Sequence, residues 1–249
     1  MSGHSKWSTI KRQKGAADAK RGALFTKLAR EIQVAARAGG GDPEMNAALR
    51  LAVSKAKDNN MPSDNIERAI KKGTGDLEGA QLQEMRYEGY GPGGAAILID
   101  ALTDNKNRTV SEVRNIFTRA GGNMAEAGAV AWVFEPRGVI TVEVDGANAD
   151  DLALAAIDAG AQDVEVSDGS VDVYTDPPGF EAVRRSLENA GYAVTSGEVT
   201  MSPKTTVPLD EQTATKNLKL LEQLEDHDDV QRVYSNADFP DSVLSAYAG

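Results

Sequence analysis

The sequence predicts an α+β protein of three domains. They are an N-terminal three-helix bundle behind a basic arm (residues 1–75), a central α/β domain built from two chain segments (76–136 and 204–249), and an inserted ferredoxin-like β-α-β-β-α-β domain (137–203). Three observations carry this. Apolar residues recur at helical spacing through the first 72 positions and change to alternating runs after Gly73-Thr74-Gly75-Asp76. Residues 138–201 give strand, helix, strand, strand, helix, strand in that order, which is the split β-α-β motif. The last helix and strand cannot bury themselves alone, so they must complete a sheet begun earlier in the chain.

Residues 1–17 lack periodicity and read as an extended arm. A helix begins near Asp18, with Leu24, Phe25, Leu28, Ile32 and Ala35 as its buried stripe. Lys20, Lys27, Arg30 and Arg37 fall on another side of it. Gly39-Gly40-Gly41 stops this helix, and Asp42 is expected to cap the second, with Pro43 in its first turn. The second helix packs through Ala48, Leu51, Ala52 and the stem of Lys55. Ser63 is expected to cap the third, whose Asp64 and Glu67 sit near the positive end and Lys71-Lys72 near the negative end.

In the central part, 84–88 and 95–102 read as strands around the loop Gly89-Tyr90-Gly91-Pro92-Gly93-Gly94. Residues 109–120 form an amphipathic helix ended by Gly121-Gly122, and 129–135 a further strand. The inserted part reads as strand 139–144, helix 150–159, a hairpin of 164–166 with 171–174 across Ser167-Asp168-Gly169-Ser170, helix 180–189 and strand 192–200. Helix 210–224 and strand 230–234 close the chain.

Charge is segregated. Residues 1–72 hold 15 basic and 7 acidic side chains, net +8, within a protein of net charge −11, which leaves the remainder at −19. The first thirty residues contain eight Lys or Arg and one acid, Asp18. A positive module on a negative body attracts a polyanion to one face and repels it from the rest. The alternative is that the cations only decorate solvated helix faces. There is no cysteine, which removes disulfides, thiolate chemistry and cysteine metal sites and suits a reducing compartment. No apolar run reaches membrane-spanning length, and the N-terminus has no secretory apolar core. A cytoplasmic protein without membrane partners is expected.

The candidate nucleic-acid residues are Lys6, Trp7, Lys11, Arg12, Lys14, Lys20, Arg21, Lys27 and Arg30. Cations neutralise phosphates and release counterions, and the Trp7 indole could stack on an unpaired base or instead pin the arm to the bundle. The loop 90–94 reads as a connection needing unusual dihedrals rather than a phosphate cradle. Arg108 reads as a surface charge and Thr109 as a helix cap. Asp226, His227, Asp228 and Asp229 read as a solvated turn rather than a metal site. No nucleophile elbow, Walker loop, paired catalytic carboxylates or zinc spacing appears, so no catalytic residue, metal or cofactor is assigned.

Several stretches carry a resemblance. They are Gly3-His-Ser-Lys-Trp-Ser-Thr-Ile-Lys11, Asp18-Ala-Lys-Arg21 with Phe25-Thr-Lys-Leu28, Met61-Pro62 with Asn65-Ile-Glu-Arg-Ala-Ile-Lys71, Tyr87-Glu-Gly-Tyr-Gly-Pro-Gly-Gly94, Asn107-Arg-Thr109, Ala131-Trp-Val-Phe134 and Asp229-Val-Gln-Arg-Val-Tyr-Ser-Asn236. In this order they resemble the YebC family, small cytoplasmic proteins usually described as transcriptional regulators, with mitochondrial relatives described as translational activators. The resemblance implies the same three-domain layout. One departure is that Gly128-Ala129 stands where the family tends to have Gly-Ser, which weakens any phosphate-binding role for that turn. The expected function is a non-enzymatic, nucleic-acid-binding regulator of gene expression. A DNA-binding transcriptional regulator comes first and a ribosomal-RNA-associated translation factor second, with the transcription machinery or the ribosome as partner. An enzyme using the central cleft comes last. The acidic ferredoxin-like domain reads as a spacer or a protein-facing module.

Overall fold

The computed structural model describes residues 18–79, 81–144, 148–167 and 169–248. The arm with Lys6, Trp7, Lys11, Arg12 and Lys14 lies outside the described residues, as do the side chains of Lys20 and Arg21. The fold is α+β, with N-terminal helices followed by two antiparallel sheets. By contacts the chain divides into two compact units, with 132–205 forming one and the helical and central parts together forming the other.

Three helices open the described chain: α1 (Asp18–Gly39), α2 (Ala47–Asp58) and α3 (Ser63–Thr74). Leu28, Ile32, Leu49, Val53, Met61 and Ile66 form their shared core. Burying each large aliphatic side chain contributes about 1.5–3 kcal/mol, so this stripe, not local propensity, holds the helices. Two expected caps are corrected. Asn46, not Asp42, caps α2: its Oδ1 accepts from Leu49 N (3.1 Å), and its Nδ2 donates to the carbonyls of Ala35 (2.8 Å) and Gly40 (2.9 Å) at the end of α1. One buried amide thus satisfies orphan groups of two helix ends. Asp42 instead receives Glu44 N within the preceding turn. Ser63 is the first helical residue of α3 and Pro62 its N-cap, with no side-chain cap bond.

Gly73 is corrected too. It is not linker but the next-to-last residue of α3, buried against α1. A Cβ there would lie 2.5 Å from the Gln33 carbonyl oxygen and 2.7 Å from Ala36 Cβ. Gly73→Ala gains about 1 kcal/mol of helix propensity but overpacks against backbone that cannot move aside, at about 1–3 kcal/mol. The expected result is a net loss of stability in urea unfolding. Gly22→Ala on α1, where a Cβ meets nothing within 4 Å, should stabilise instead.

The central sheet has the order β3-β1-β2-β9, from β1 (Gln83–Tyr90), β2 (Ala96–Thr103), β3 (Asn123–Ala125) and β9 (Val230–Ser235). The late strand β9 pairs antiparallel with β2, as the isolated C-terminal helix and strand require. Helices α4 (Lys106–Ala120), α7 (Glu211–Glu225) and α8 (Asp241–Ala248) accompany the sheet, and a core of Ile97, Ile99, Phe117, Leu218 and Leu221 joins them. A strand over 129–135 is not present. Ala131–Val133 is a short 3-10 turn, and Phe134 opens β4 (Phe134–Glu143), a long strand of the other sheet. The central sheet takes β3 in its place.

The unit 132–205 holds β4, α5 (Ala149–Asp158), β5 (Asp163–Ser167), β6 (Ser170–Thr175), α6 (Phe180–Asn189) and β7 (Ala193–Pro203). Its order β5-β6-β4-β7, antiparallel throughout, is the ferredoxin-like arrangement. Ile140, Val142, Leu152, Val173, Val183 and Leu187 fill its core. A two-residue parallel pair, β8 (Val207–Pro208) with β10 (Ala237–Asp238), was not predicted. No described helix is long and apolar enough to cross a membrane.

Candidate nucleic-acid interface

Two helix stripes face each other across the bundle. On α1, Phe25, Ala29 and Gln33 recur every four residues; on α3, Asn65, Arg68, Ala69 and Lys72 share a face. Gly73 lets the two helices approach, while Ala29 and Ala69 are too short to fill the space above their contact. The result is an open groove of about 290 Å³. Phe25 supplies its apolar wall above the buried Met61, and Gln33 and Asn65 its amides; Arg68 and Lys72 supply its charge, Arg30 lines it too but is engaged elsewhere, and no acid lines it among the described residues. Lys72 also lines the neighbouring hollow of about 540 Å³, together with Arg37, Thr74, Gly75 and the acid Glu78.

Among the described residues no carboxylate pairs with Arg68 or Lys72. Sequence reasoning left both out of the interface. Lys71-Lys72 looked like a complement to the negative end of a helix, which hid the spacing of 65, 68 and 72 along one face. That spacing was the available signal.

Lys27 and Arg30, expected on phosphates, are placed differently. Lys27 Nζ donates to the carbonyl of Glu225, the last residue of α7. Arg30 Nη1 donates to the carbonyl of Asp228 (2.6 Å) and meets Asp229 Oδ1 (2.8 Å). A helix C-terminus leaves carbonyls unsatisfied and carries partial negative charge. These cations found an anion-like partner inside the protein, and they tie α1 to the central domain.

Asp229 is the centre of that tie. It is 1% exposed and not part of a solvated turn. Its Oδ2 meets Arg108 Nη2 at 2.8 Å and Thr109 Oγ1 at 2.6 Å, with Thr103 Oγ1 at 3.2 Å. Burial alone would raise its pKa. Hydrogen bonds from Arg108, Thr109 and Arg30 outweigh this and hold it at about 2. Arg108 is therefore no idle surface charge, and Asn105, not Thr109, caps α4 by accepting from Arg108 N. His227 Nδ1 accepts from Asp229 N (3.1 Å), and its Nε2 faces Glu112 (2.9 Å). Among the described residues no group of three or more His, Asp or Glu converges as a metal site would.

The turn at Gly128-Ala129 has its amides occupied. Glu88, 4% exposed, accepts from Gly128 N (2.7 Å), Val130 N (2.6 Å) and Ala131 N (2.9 Å). An internal carboxylate sits where a phosphate would need to bind. The loop at 91–94 is likewise structural: Asn217 on α7 donates to the Pro92 carbonyl at 2.6 Å, and Gly93 adopts φ +78°.

Comparison with known proteins decides the family. The TACO1/YebC protein N-terminal domain matches residues 5–76, and the TACO1/YebC second and third domain matches residues 82–237. The chain belongs to the TACO1/YebC family. A probable transcriptional regulatory protein of Dehalococcoides mccartyi is 59% identical over 247 residues, covering 99% of this chain and 98% of that protein. Another, of Moorella thermoacetica, is 57% identical, with 98% of each chain covered. The crystal structure of a conserved hypothetical protein from Aquifex aeolicus is similar at TM-score 0.79 and 48% identity, covering 90% of this chain and 93% of that one. The groove residues Phe25, Asn65 and Arg68 fall within the stretch matched by the family's N-terminal domain.

Proposed function

We propose that this chain is a non-enzymatic regulator of gene expression that binds nucleic acid through its N-terminal helices. The observation that carries the reading is the α1–α3 groove, where Arg68 and Lys72 have no carboxylate partner and no acid lines it among the described residues, on a protein of net charge −11. Phosphates are drawn to such a face and repelled by the acidic remainder, which orients the complex. Arg68 and Lys72 hold the backbone. The arm cations Lys6, Lys11, Arg12 and Lys14, with Lys20 and Arg21, extend the surface, and Trp7 adds an aromatic contact. Arg30 and Lys27 act from behind by fixing α1 on the central domain. The helical part works as the binding module, the central domain as its support and the ferredoxin-like domain as an acidic, protein-facing module.

The relatives are named probable transcriptional regulatory proteins, which supports transcription and, with it, DNA as the first reading. Ribosomal RNA and translation form the second reading, favoured by an apolar groove wall that suits an unpaired base. Both predict that Arg68→Ala with Lys72→Ala in the full chain weakens binding and flattens the log–log salt dependence. The expected change in slope is about 0.7 to 0.9 per lost phosphate contact. An unchanged slope in the folded double variant would exclude this face.

A further inference from the structure

We infer that the α1–α3 groove receives one unpaired nucleotide, its base on the Phe25 ring and its phosphates against Arg68 and Lys72. The inference rests on the nucleic-acid reading above and narrows it to single-stranded or looped segments.

The groove has the parts such a ligand requires. Its volume of about 290 Å³ falls just under the roughly 300 Å³ at which small-ligand pockets begin, so the ligand it suits is no larger than one flat ring system. Phe25 offers an aromatic ring, and any base has a π-face to stack on it. Met61, a core side chain, closes the floor beneath the ring. Gln33 and Asn65 each carry a donor and an acceptor and can meet the edge of a base. The two cations stand one turn apart on α3, at positions 68 and 72, along the rim. A groove of cations alone would serve a duplex backbone equally well. The apolar wall and amides beneath the cations have no use to a duplex, whose bases are stacked and paired inside it.

Phe25 is only partly buried and packs against the bundle core from its edge. Leucine keeps that apolar contact and removes the ring, while Asn65→Ala removes an edge contact from a partly exposed site. The test uses the full chain and a 2-aminopurine-labelled 12-nucleotide strand, as RNA and as DNA, free and annealed to its complement. The expected result is fluorescence quenching on the free strand and at least 10-fold tighter binding to it than to the duplex. Phe25→Leu and Asn65→Ala should each lose about 10-fold on the single strand and less than 2-fold on the duplex. The RNA and DNA arms then show which backbone is preferred. Equal affinity for strand and duplex, or equal loss on both in Phe25→Leu, would overturn the inference while leaving phosphate binding intact. Indifference of both ligands to Arg68→Ala with Lys72→Ala would overturn the broader reading as well.

Discussion

Asp229→Ala should be the most damaging single substitution in the network that joins α1 to the central domain. The carboxylate takes Arg30 on one oxygen and Arg108 and Thr109 on the other, with almost no solvent contact. Removing one partner of a buried pair leaves the other charge uncompensated, which costs about 3–5 kcal/mol. Arg30 is the side chain left exposed to this penalty, because its own side chain is only 19% accessible. Urea unfolding at pH 7 measures the loss. Arg30→Ala in the Asp229→Ala background should cost much less than it does alone, since its partner is already gone. A loss under 1 kcal/mol for Asp229→Ala would contradict the assignment.

The same residue predicts the acid limb of stability. Its folded pKa of about 2 lies below the usual carboxylate value of 3.8. A depressed pKa means that the stabilisation is complete above the unfolded value and is lost as pH falls through the folded one. Roughly 2–3 kcal/mol should therefore disappear between about pH 4 and pH 2. Asp229→Ala should lack this share of the acid loss.

Glu88→Ala should produce the second large effect, in one turn. Three backbone amides converge on this carboxylate, and all three lose their acceptor together. A buried donor left unsatisfied costs about 1–3 kcal/mol. Relaxation and entering water recover part of this, so a total near 2–4 kcal/mol is expected. Burial works to raise the pKa of Glu88, and the three amides outweigh it, holding the carboxyl below its ordinary range. Hydrogen exchange at Gly128, Val130 and Ala131 reads the effect residue by residue. All three amides should exchange faster in Glu88→Ala, and Glu88→Gln should fall between, because its amide nitrogen opposes a donor. Unchanged protection at those positions would mean that Glu88 does not organise the turn.

The layout was legible in the sequence because periodicity and punctuation agree over most of the chain. The paired strands 163–167 and 170–175, the helix at 180–189 and the late strand at 230–235 carry strong local signals. Failures came where a residue serves something distant in sequence. Gly73 looked like a linker glycine because its partner is the Gln33 carbonyl, forty positions earlier. Asp229 looked like one of four solvated polar residues because Arg30 and Arg108 reach it from elsewhere in the chain. Lys27 and Arg30 read as phosphate ligands and have partners within the protein, because a helix C-terminus and a phosphate present the same sign of charge to a cation. The strand over 129–135 failed differently. Its apolar residues are real, but the amides of Val130 and Ala131 are taken by Glu88, Ala131–Val133 is a 3-10 turn, and the strand begins at Phe134. The groove was half legible: the basic segment could be read, but the contribution of α3 required knowing which face Gly73 brings to α1.

The central claim is that the N-terminal helices hold the nucleic acid and the acidic remainder does not. Ultraviolet crosslinking of the full chain to a photoreactive single strand, with adducts mapped by mass spectrometry, tests it most directly. Adducts are predicted on Phe25 and the residues around Asn65 and Arg68, with further adducts in the arm. Adducts confined to residues 132–205, with the α1 and α3 peptides unmodified, would contradict it.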